Sequence, residues 1–222
     1  MQKFAAAAPI AAVLDIPAGR VRFIAADRAD TTVEVLPADA AKGRDVKAAE
    51  QVTVTYEDGV LRIGTAPEKN RLLGRFGSVE VTVQLPAGSR VEAKAAGAEL
   101  RGVGRLGDVV FEGAQGPVEL DEVASARLTV LDGDITIGRL GGPAELSTQR
   151  GDIRIAEALA GTVTLRTLDG DLSVDAAPGV SASLDAGTGR GRIHNALRNA
   201  EGTAALTIHA TTTQGDITAR SL

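Results

Sequence analysis

Cysteine and tryptophan are absent from this chain, histidine occurs twice, and aromatic residues make up 2% of the sequence. Without cysteine there is no disulfide framework and no thiolate site, and His194 and His209 alone cannot build a histidine-based metal cluster. No Gly-x-Ser-x-Gly elbow occurs, and nothing ties the two histidines to a nucleophile. We therefore expect no enzymatic activity and no cofactor. The core must consist mainly of Val, Ile, Leu and Ala.

Long apolar runs and basic stripes are also missing. No segment approaches the ~20 consecutive apolar residues of a membrane span. The apolar stretch at residues 4–14 contains Pro9 and has no clear cleavage site, so it predicts a first strand rather than a signal peptide. The net charge of −5 argues against a nucleic-acid partner. Together these features predict a cytoplasmic location.

A repeated motif dominates what is present. It reads LTVLDGDITI, LSTQRGDIRI, LRTLDGDLSV, GTGRGRIHN and TTTQGDITA in the second half of the chain. A small residue marks each repeat, at Ala96, Gly116, Gly133, Gly151, Gly170, Gly191 and Gly215. Aliphatic residues alternate on each side of a marker, as Leu128 and Val130 do before Gly133 and as Ile135 and Ile137 do after it. Such positions share one face of the strands that flank a glycine turn.

Each repeat therefore predicts strand, turn, strand, and a unit of this size buries its apolar face only by stacking on its neighbours. The predicted fold is all-β, a single-stranded parallel β-solenoid (β-helix) with about 18–20 residues per coil. We expect irregular coils and a cap over residues 1–87 and regular coils on one continuous core over residues 88–222. Ile135, Ile153 and Leu172 should form one buried column.

Four threonines occupy the inward position three residues before a marker: Thr148, Thr167, Thr188 and Thr212. Their buried hydroxyls need partners, from one another or from the turn backbone.

The N-terminal part follows the same pattern of strands and turns, with longer insertions. Strands are predicted at residues 32–36, 51–56, 60–63 and 79–85, and EDGVLRI predicts a tight hairpin. The segment LDIPAGRVRF returns as VQLPAGSRVEA, which suggests a duplicated coil entrance. Residues 37–50 should form a polar loop with one helical turn.

The insertion at residues 65–77 places apolar groups among cations. It contains Arg71, Leu72, Leu73, Arg75 and Phe76. These residues are either a partner contact or a plug for the core.

These features resemble a bacterial β-strand-repeat family of unknown function, often labelled "putative adhesin". The resemblance rests on the DIPAG entry, VTVTYEDGVLRI, LLGRFGSVEVTVQLPAG and the serial GDI coils. It implies a β-helical fold without established catalysis. The repeat at Gly191 departs from the pattern, because Arg192 replaces the aspartate and Asn195 replaces an inward aliphatic residue. That coil is either distorted or a place of binding.

Charged residues form a predicted turn ladder beside the markers: Asp132, Asp134, Arg150, Asp152, Asp169, Asp171 and Arg190. Stacked acidic turns suggest calcium, but the sign alternates from Asp132 to Arg150 to Asp169. An arginine between two aspartates offsets their repulsion without a metal. We therefore interpret the ladder as structural and expect Arg150 to lie within ion-pair reach of a neighbouring carboxylate.

Two short motifs resemble known binding sites, but the strand repeats explain both. The RGD at residues 150–152 occupies columns that read DGD in the adjacent repeats, so it is a by-product of the repeat. The GVGRLG at residues 102–107 precedes a strand rather than the helix that a dinucleotide site needs.

The predicted function is a non-catalytic binding or adhesin-like module for an unknown protein or glycan. The alternative is a structural scaffold that polymerises end to end, as cytoskeletal β-helices do. A monomer and an end-to-end or side-by-side homo-oligomer both fit the sequence.

Overall fold

The computed structural model describes residues 1–65, 77–199 and 203–222, and these residues form seventeen strands and one helix. In chain order the elements are β1 (Gln2–Ala5), β2 (Ala11–Ala26), β3 (Asp30–Pro37), α1 (Gly43–Gln51), β4 (Val52–Glu57), β5 (Val60–Thr65), β6 (Val79–Pro86), β7 (Arg90–Gln115), β8 (Val118–Asp132), β9 (Ile135–Leu140), β10 (Ala144–Ser147), β11 (Ile153–Ala158), β12 (Gly161–Asp169), β13 (Leu172–Ala176), β14 (Ala182–Arg190), β15 (Ile193–Ala196), β16 (Leu206–Gln214) and β17 (Ile217–Ser221). Helix α1 has nine residues, and no helix in the described ranges is long and apolar enough to cross a membrane.

The strands stack into two faces around a shared core. Face A runs through β4, β5, β2, β7, β8, β10, β12, β16 and β14. Face B runs through β1, β3, β6, β2, β7, β8, β9, β11, β13, β17 and β15. The long strands β2, β7 and β8 pass from one face to the other. Among the strands that the structure describes, the pairing is parallel apart from three antiparallel pairs formed by β1, β3 and β4 near the N-terminus. The predicted all-β parallel solenoid is confirmed.

In-register pairing makes the core a set of aliphatic columns. Ile135, Ile153 and Leu172 pair directly across β9, β11 and β13, and all three are buried. The predicted buried column is therefore confirmed. A single cluster of buried hydrophobic residues extends from Ala6 to Ile217, so the coils share one core.

The marker glycines allow the turns to stack closely. Gly151 has φ +141°, and a Cβ there would lie 2.3 Å from the carbonyl oxygen of Gly133. Gly170 meets the carbonyl of Gly151 in the same way, at 2.0 Å. No side chain fits at that distance, which explains why glycine recurs where each chain segment turns from face A to face B.

The last two coils do not stack in chain order. Strand β16 lies between β12 and β14, and β17 lies between β13 and β15. The C-terminal coil of β16 and β17 thus lies between the coil of β12 and β13 and the coil of β14 and β15. The coil of β14 and β15 forms one end of the molecule. The inward side chains explain the order: the inserted coil supplies Leu206, Ile208 and Ile217, which are buried, whereas the end coil carries the polar Asn195 in an inward column.

Two N-terminal expectations were wrong. The first Pro-Ala-Gly, at residues 17–19, turns from face A to face B within β2, whereas the second, at residues 86–88, joins β6 on face B to β7 on face A. They are not equivalent turns, so the repeated tripeptide is not a duplicated coil entrance. The marker of the second coil is Ala98, which pairs with Gly19, rather than Ala96. A slip of two residues preserves which side chains point inward.

The first coil is covered by added elements. Asp58 and Gly59 adopt positive φ angles of 49° and 76° and close the predicted hairpin between β4 and β5. Instead of a single turn near its end, the insertion at residues 37–50 contains α1, whose buried Asp45 accepts a hydrogen bond from the Ser78 N–H at 3.1 Å. Phe4 of β1 and Tyr56 of β4 lie with ring centroids 5.3 Å apart. This aromatic pair joins the end strands of the two faces and closes that end of the core.

Candidate functional site

The turn from face A to face B carries a continuous chain of aspartate hydrogen bonds. Asp134 Oδ1 accepts the backbone N–H of Asp152 at 2.9 Å, and Asp152 Oδ1 accepts that of Asp171 at 2.7 Å. Asp171 in turn accepts the N–H of Asp216 at 2.7 Å, and Asp216 accepts that of Arg192 at 2.8 Å. Each carboxylate therefore fastens its own turn to the next coil.

The residues one position before the marker glycines form a column, and an ion pair occurs near the start of this column. Arg150 Nη2 lies 2.7 Å from Oδ2 of Asp132, and Arg150 also bridges to Asp169 through its backbone. Beyond Asp169 the column continues with Gln214 and only then Arg190. Arg190 is therefore not stacked on Asp169, because the inserted C-terminal coil separates them, and the expected strict alternation ends there.

The threonine prediction is confirmed. Thr148 Oγ1 donates to the Gly133 carbonyl at 3.2 Å, and Thr167 Oγ1 donates to that of Gly151 at 3.2 Å. The remaining two hydroxyls follow the spatial order of the coils: Thr212 donates to Gly170 at 3.1 Å and Thr188 donates to Gly215 at 3.0 Å. These bonds fix the glycine turns from inside the core.

The turn ladder offers little to a cation. One oxygen of Asp134, Asp152, Asp171 and Asp216 is taken by a backbone N–H, and Asp132 is paired with Arg150. Across the described ranges, no group of three or more His, Cys, Asp or Glu side chains is arranged to hold a metal ion. The arrangement joins coils to one another.

An apolar stripe runs beside the turn ladder on the outside of the molecule. We call it the corner surface and define it as Pro17, Ala96, Ala114, Leu131 and Leu168, which precede the turns by two positions. The first four lie in successive coils, and the polar Gln149 occupies the same position in the coil between Leu131 and Leu168. Leu131 is 46% exposed and Leu168 is 56% exposed. Pro17, Ala96, Ala114 and Leu131 line a groove of about 530 Å³ together with Asp15, Ile16, Lys94, Ala95, Glu112 and Gly113.

Sequence reasoning missed the corner surface although a signal was present. Residues that alternate with the inward-facing ones point outward, and they should be polar on a strand face that is exposed to solvent. The position two before the marker instead reads Ala114, Leu131 and Leu168 in three of the coils. Apolar residues at these outward-facing positions were therefore the sequence signal for the corner surface.

The outer side of face A is covered by ion pairs between neighbouring coils. Arg90 pairs with Asp108 at 3.4 Å, and Lys94 pairs with Glu112 at 3.3 Å. Further along, Glu145 lies between Arg127 and Arg166, at 3.5 and 3.7 Å. These side chains are exposed, so each pair contributes about 0–1 kcal/mol.

One ion pair of face B fixes the inserted coil. Asp175 of β13 is buried and accepts two hydrogen bonds from Arg220 of β17, from Nε and from Nη2, both at 2.8 Å. These bonds favour the charged guanidinium and raise the pKa of Arg220 above its usual range. The forked contact anchors the C-terminal coil to the coil that carries β13.

A histidine lies between a carboxylate and a hydroxyl on face A. His209 pairs across strands with Asp185 and Thr164, and its Nδ1 is 3.4 Å from Oδ2 of Asp185. Both charged-type side chains lie on an open strand face. The row is open to solvent on the outer side of face A.

The predicted partner contact lies outside the described residues. Arg71, Leu72, Leu73, Arg75 and Phe76 all fall within residues 66–76. Their role as a contact stays a prediction.

Comparison with known proteins supports the family resemblance. The family model described as Toastrack DUF4097 matches residues 13–221. A solved structure of a protein described as a "putative adhesin", from Bacteroides fragilis NCTC 9343, is 14% identical, with a TM-score of 0.52 over 98% of this chain and 95% of that one. Another of the same description, from Parabacteroides distasonis ATCC 8503, is 16% identical, with a TM-score of 0.44 over 98% and 95% of the two chains.

No curated protein matches the chain. The similarity to the solved structures concerns the fold, whereas the family model covers nearly the whole sequence. The predicted resemblance is confirmed, and the chain belongs to the Toastrack DUF4097 family of β-repeat proteins.

Proposed function

We propose that this chain is a non-catalytic, adhesin-like module that binds a protein partner through the corner surface. The observation that carries the proposal is the apolar groove of about 530 Å³ at Pro17, Ala96, Ala114 and Leu131. Exposed apolar patches with a polar rim are typical of interaction sites.

The rim supports a protein ligand. Lys94 and Glu112 form an ion pair at one side of the groove, and the charged turn ladder begins with Asp132 at the other. A partner that places apolar groups in the groove therefore meets both signs of charge at its edges. Such a rim favours a polypeptide with mixed charges and guides its orientation more than its affinity.

A glycan is the weaker alternative. Sugar-binding surfaces on β-helices usually present aromatic platforms to the sugar rings. Among the described residues, Phe23 and Phe111 are buried, and Phe4 and Tyr56 contact each other at the closed end. The part of the chain that the structure describes thus offers the corner surface only aliphatic side chains.

The test is a random peptide library displayed on phage, selected against the purified chain, with a glycan array in parallel. Leu131→Asp should abolish binding of the selected peptides, and Leu168→Asp, two coils beyond Leu131 and outside the groove, should weaken it. Leu36→Asp is the matched control, because Leu36 of β3 has the same 46% exposure as Leu131 but lies away from the groove.

Two results would contradict the proposal. Selected peptides that bind the Leu131→Asp and Leu168→Asp variants as well as the wild type would remove the corner surface from the account. A glycan, instead of peptides, that binds the wild type and loses affinity in these variants would overturn the protein ligand. The predicted cytoplasmic location stays a prediction, and cell fractionation tests it.

A further inference from the structure

We propose that two copies of this chain associate through the coil of β14 and β15, with twofold symmetry. We call this coil the open end. The inference concerns a second copy of the chain and is independent of the corner surface, which lies along the side of the molecule.

The open end exposes half of a core. Ile193 is 46% exposed, whereas Ile217, which pairs with it in the coil beneath, is 1% exposed. Leu184 and Ala186 are only partly buried, while their partners Ile208 and Ala210 on β16 are buried. These side chains have the positions and chemistry of core residues with a coil on one side only.

The backbone at the open end is also ready to pair. The Ala182 N–H donates to the Arg198 carbonyl at 3.2 Å, on the side of β14 away from β16. Residues of the same parity, Leu184, Ala186 and Thr188, turn their N–H and C=O groups to that side. Among the described residues, no strand is paired with β14 there. A strand with free edge groups is a template for another strand.

The two ends differ, and this difference selects a closed dimer. At the closed end, Phe4 and Tyr56 join the faces, and Lys3 of β1 forms an ion pair with Asp30 at 2.8 Å. A filament requires the open end of one copy to meet the closed end of the next. Contact between two open ends uses the same surface twice and stops at two copies.

Twofold symmetry also joins the two half cores. Two β14 strands that pair antiparallel about Gly187 set Ala186 opposite Thr188 of the second copy, so that the edge N–H and C=O groups of the two strands meet. Leu184 and Ala186 of both copies then lie on one face of the joined sheet, because directly opposite residues share a face.

The small area of the open end limits the affinity between the two copies. Strand β14 has nine residues, which extend roughly 30 Å, and two faces of a sandwich lie about 10 Å apart. Even with side chains included, the footprint falls below the about 800 Å² per partner of a standard interface. We therefore expect a dimer that dissociates in the micromolar range.

Sedimentation velocity of the wild type and of single-residue variants tests the open end. The wild type should form dimers at micromolar concentration.

Ile193→Asp should abolish association, and Leu36→Asp, with the same exposure at the mutated site, should preserve it. Leu131→Asp should also preserve the dimer, so loss of the corner surface and loss of the dimer are separate results. A wild-type chain that is monomeric at high micromolar concentration would overturn the proposal. So would species that grow beyond two copies, or association lost in Leu131→Asp but kept in Ile193→Asp.

Discussion

Alanine substitution at two isoleucines of one column tests the order of the last coils. Ile217 and Ile193 pair directly across β17 and β15, but Ile217 is enclosed by Leu172 on its other side and Ile193 is not. The Ile217→Ala variant leaves a cavity that cannot collapse easily, because backbone hydrogen bonds hold the coils about 4.8 Å apart. We expect it to lower the free energy of unfolding by about 4 kcal/mol, in the upper half of the range for buried isoleucine.

Ile193→Ala removes the same atoms from a half-exposed position. The expected loss is about 1 kcal/mol, since much of that side chain remains in contact with water in the folded state. Urea unfolding followed by far-UV circular dichroism measures both variants, and the comparison requires unchanged m-values. If Ile193→Ala costs as much as Ile217→Ala or more, the coils stack in chain order and the open end is wrongly assigned.

Three further predictions concern the turns and the closed end. Thr167→Val removes the hydroxyl that donates to Gly151 and should cost about 1 kcal/mol, whereas Thr164→Val on the outward side should cost almost nothing in the same urea assay. Hydrogen bonds from Arg28 and Lys3 lower the pKa of Asp30 from 3.8 to about 2, so Asp30 stabilises the fold above pH ~4 and loses this effect as the pH falls towards 2; Asp30→Asn should remove that part of the pH dependence of the urea midpoint. Arg150→Ala should cost about 0–1 kcal/mol, while calcium or a chelator should leave the melting temperature unchanged; a rise of several degrees with calcium would make the acidic turns a binding site.

The sequence predicted the coils because parity and glycine spacing are local properties. Ile153 and Leu172 occupy equivalent positions in their repeats, so their shared column followed directly from the pattern. Thr167 followed in the same way, since a buried hydroxyl must find an acceptor and the nearest one belongs to a turn.

The order of the coils is a nonlocal property that periodicity does not encode. Repeats with the same alternation of inward and outward residues can stack in any order that buries their aliphatic side chains. The inward Asn195 marks the coil least able to sit inside the stack. The sequence reasoning noted Asn195 as a departure, but it did not translate that departure into a position at the end.

Ambiguous segments account for the remaining differences. The alanine-rich KAAGAEL fits two phases with the same inward parity, so Ala96 and Ala98 could not be separated. Pro-Ala-Gly is suitable for a turn in either direction between the faces, and its two copies are used in opposite directions. The corner surface depends on which outward residues adjoin one another, and this became visible only when Leu131 and Ala114 were placed in one groove.

Engineered cysteine pairs test the central claim, the inserted C-terminal coil, most directly because the chain has no cysteine of its own. Thr162 and Thr207 pair in register on adjacent strands, while Ser183 pairs with the other side of Thr207. Cysteines at residues 162 and 207 should form a disulfide under mild oxidation, because neighbouring coils lie about 4.8 Å apart. Cysteines at residues 162 and 183, about 10 Å apart across two coil spacings, should stay reduced. A disulfide between residues 162 and 183, with none between residues 162 and 207, would contradict the account.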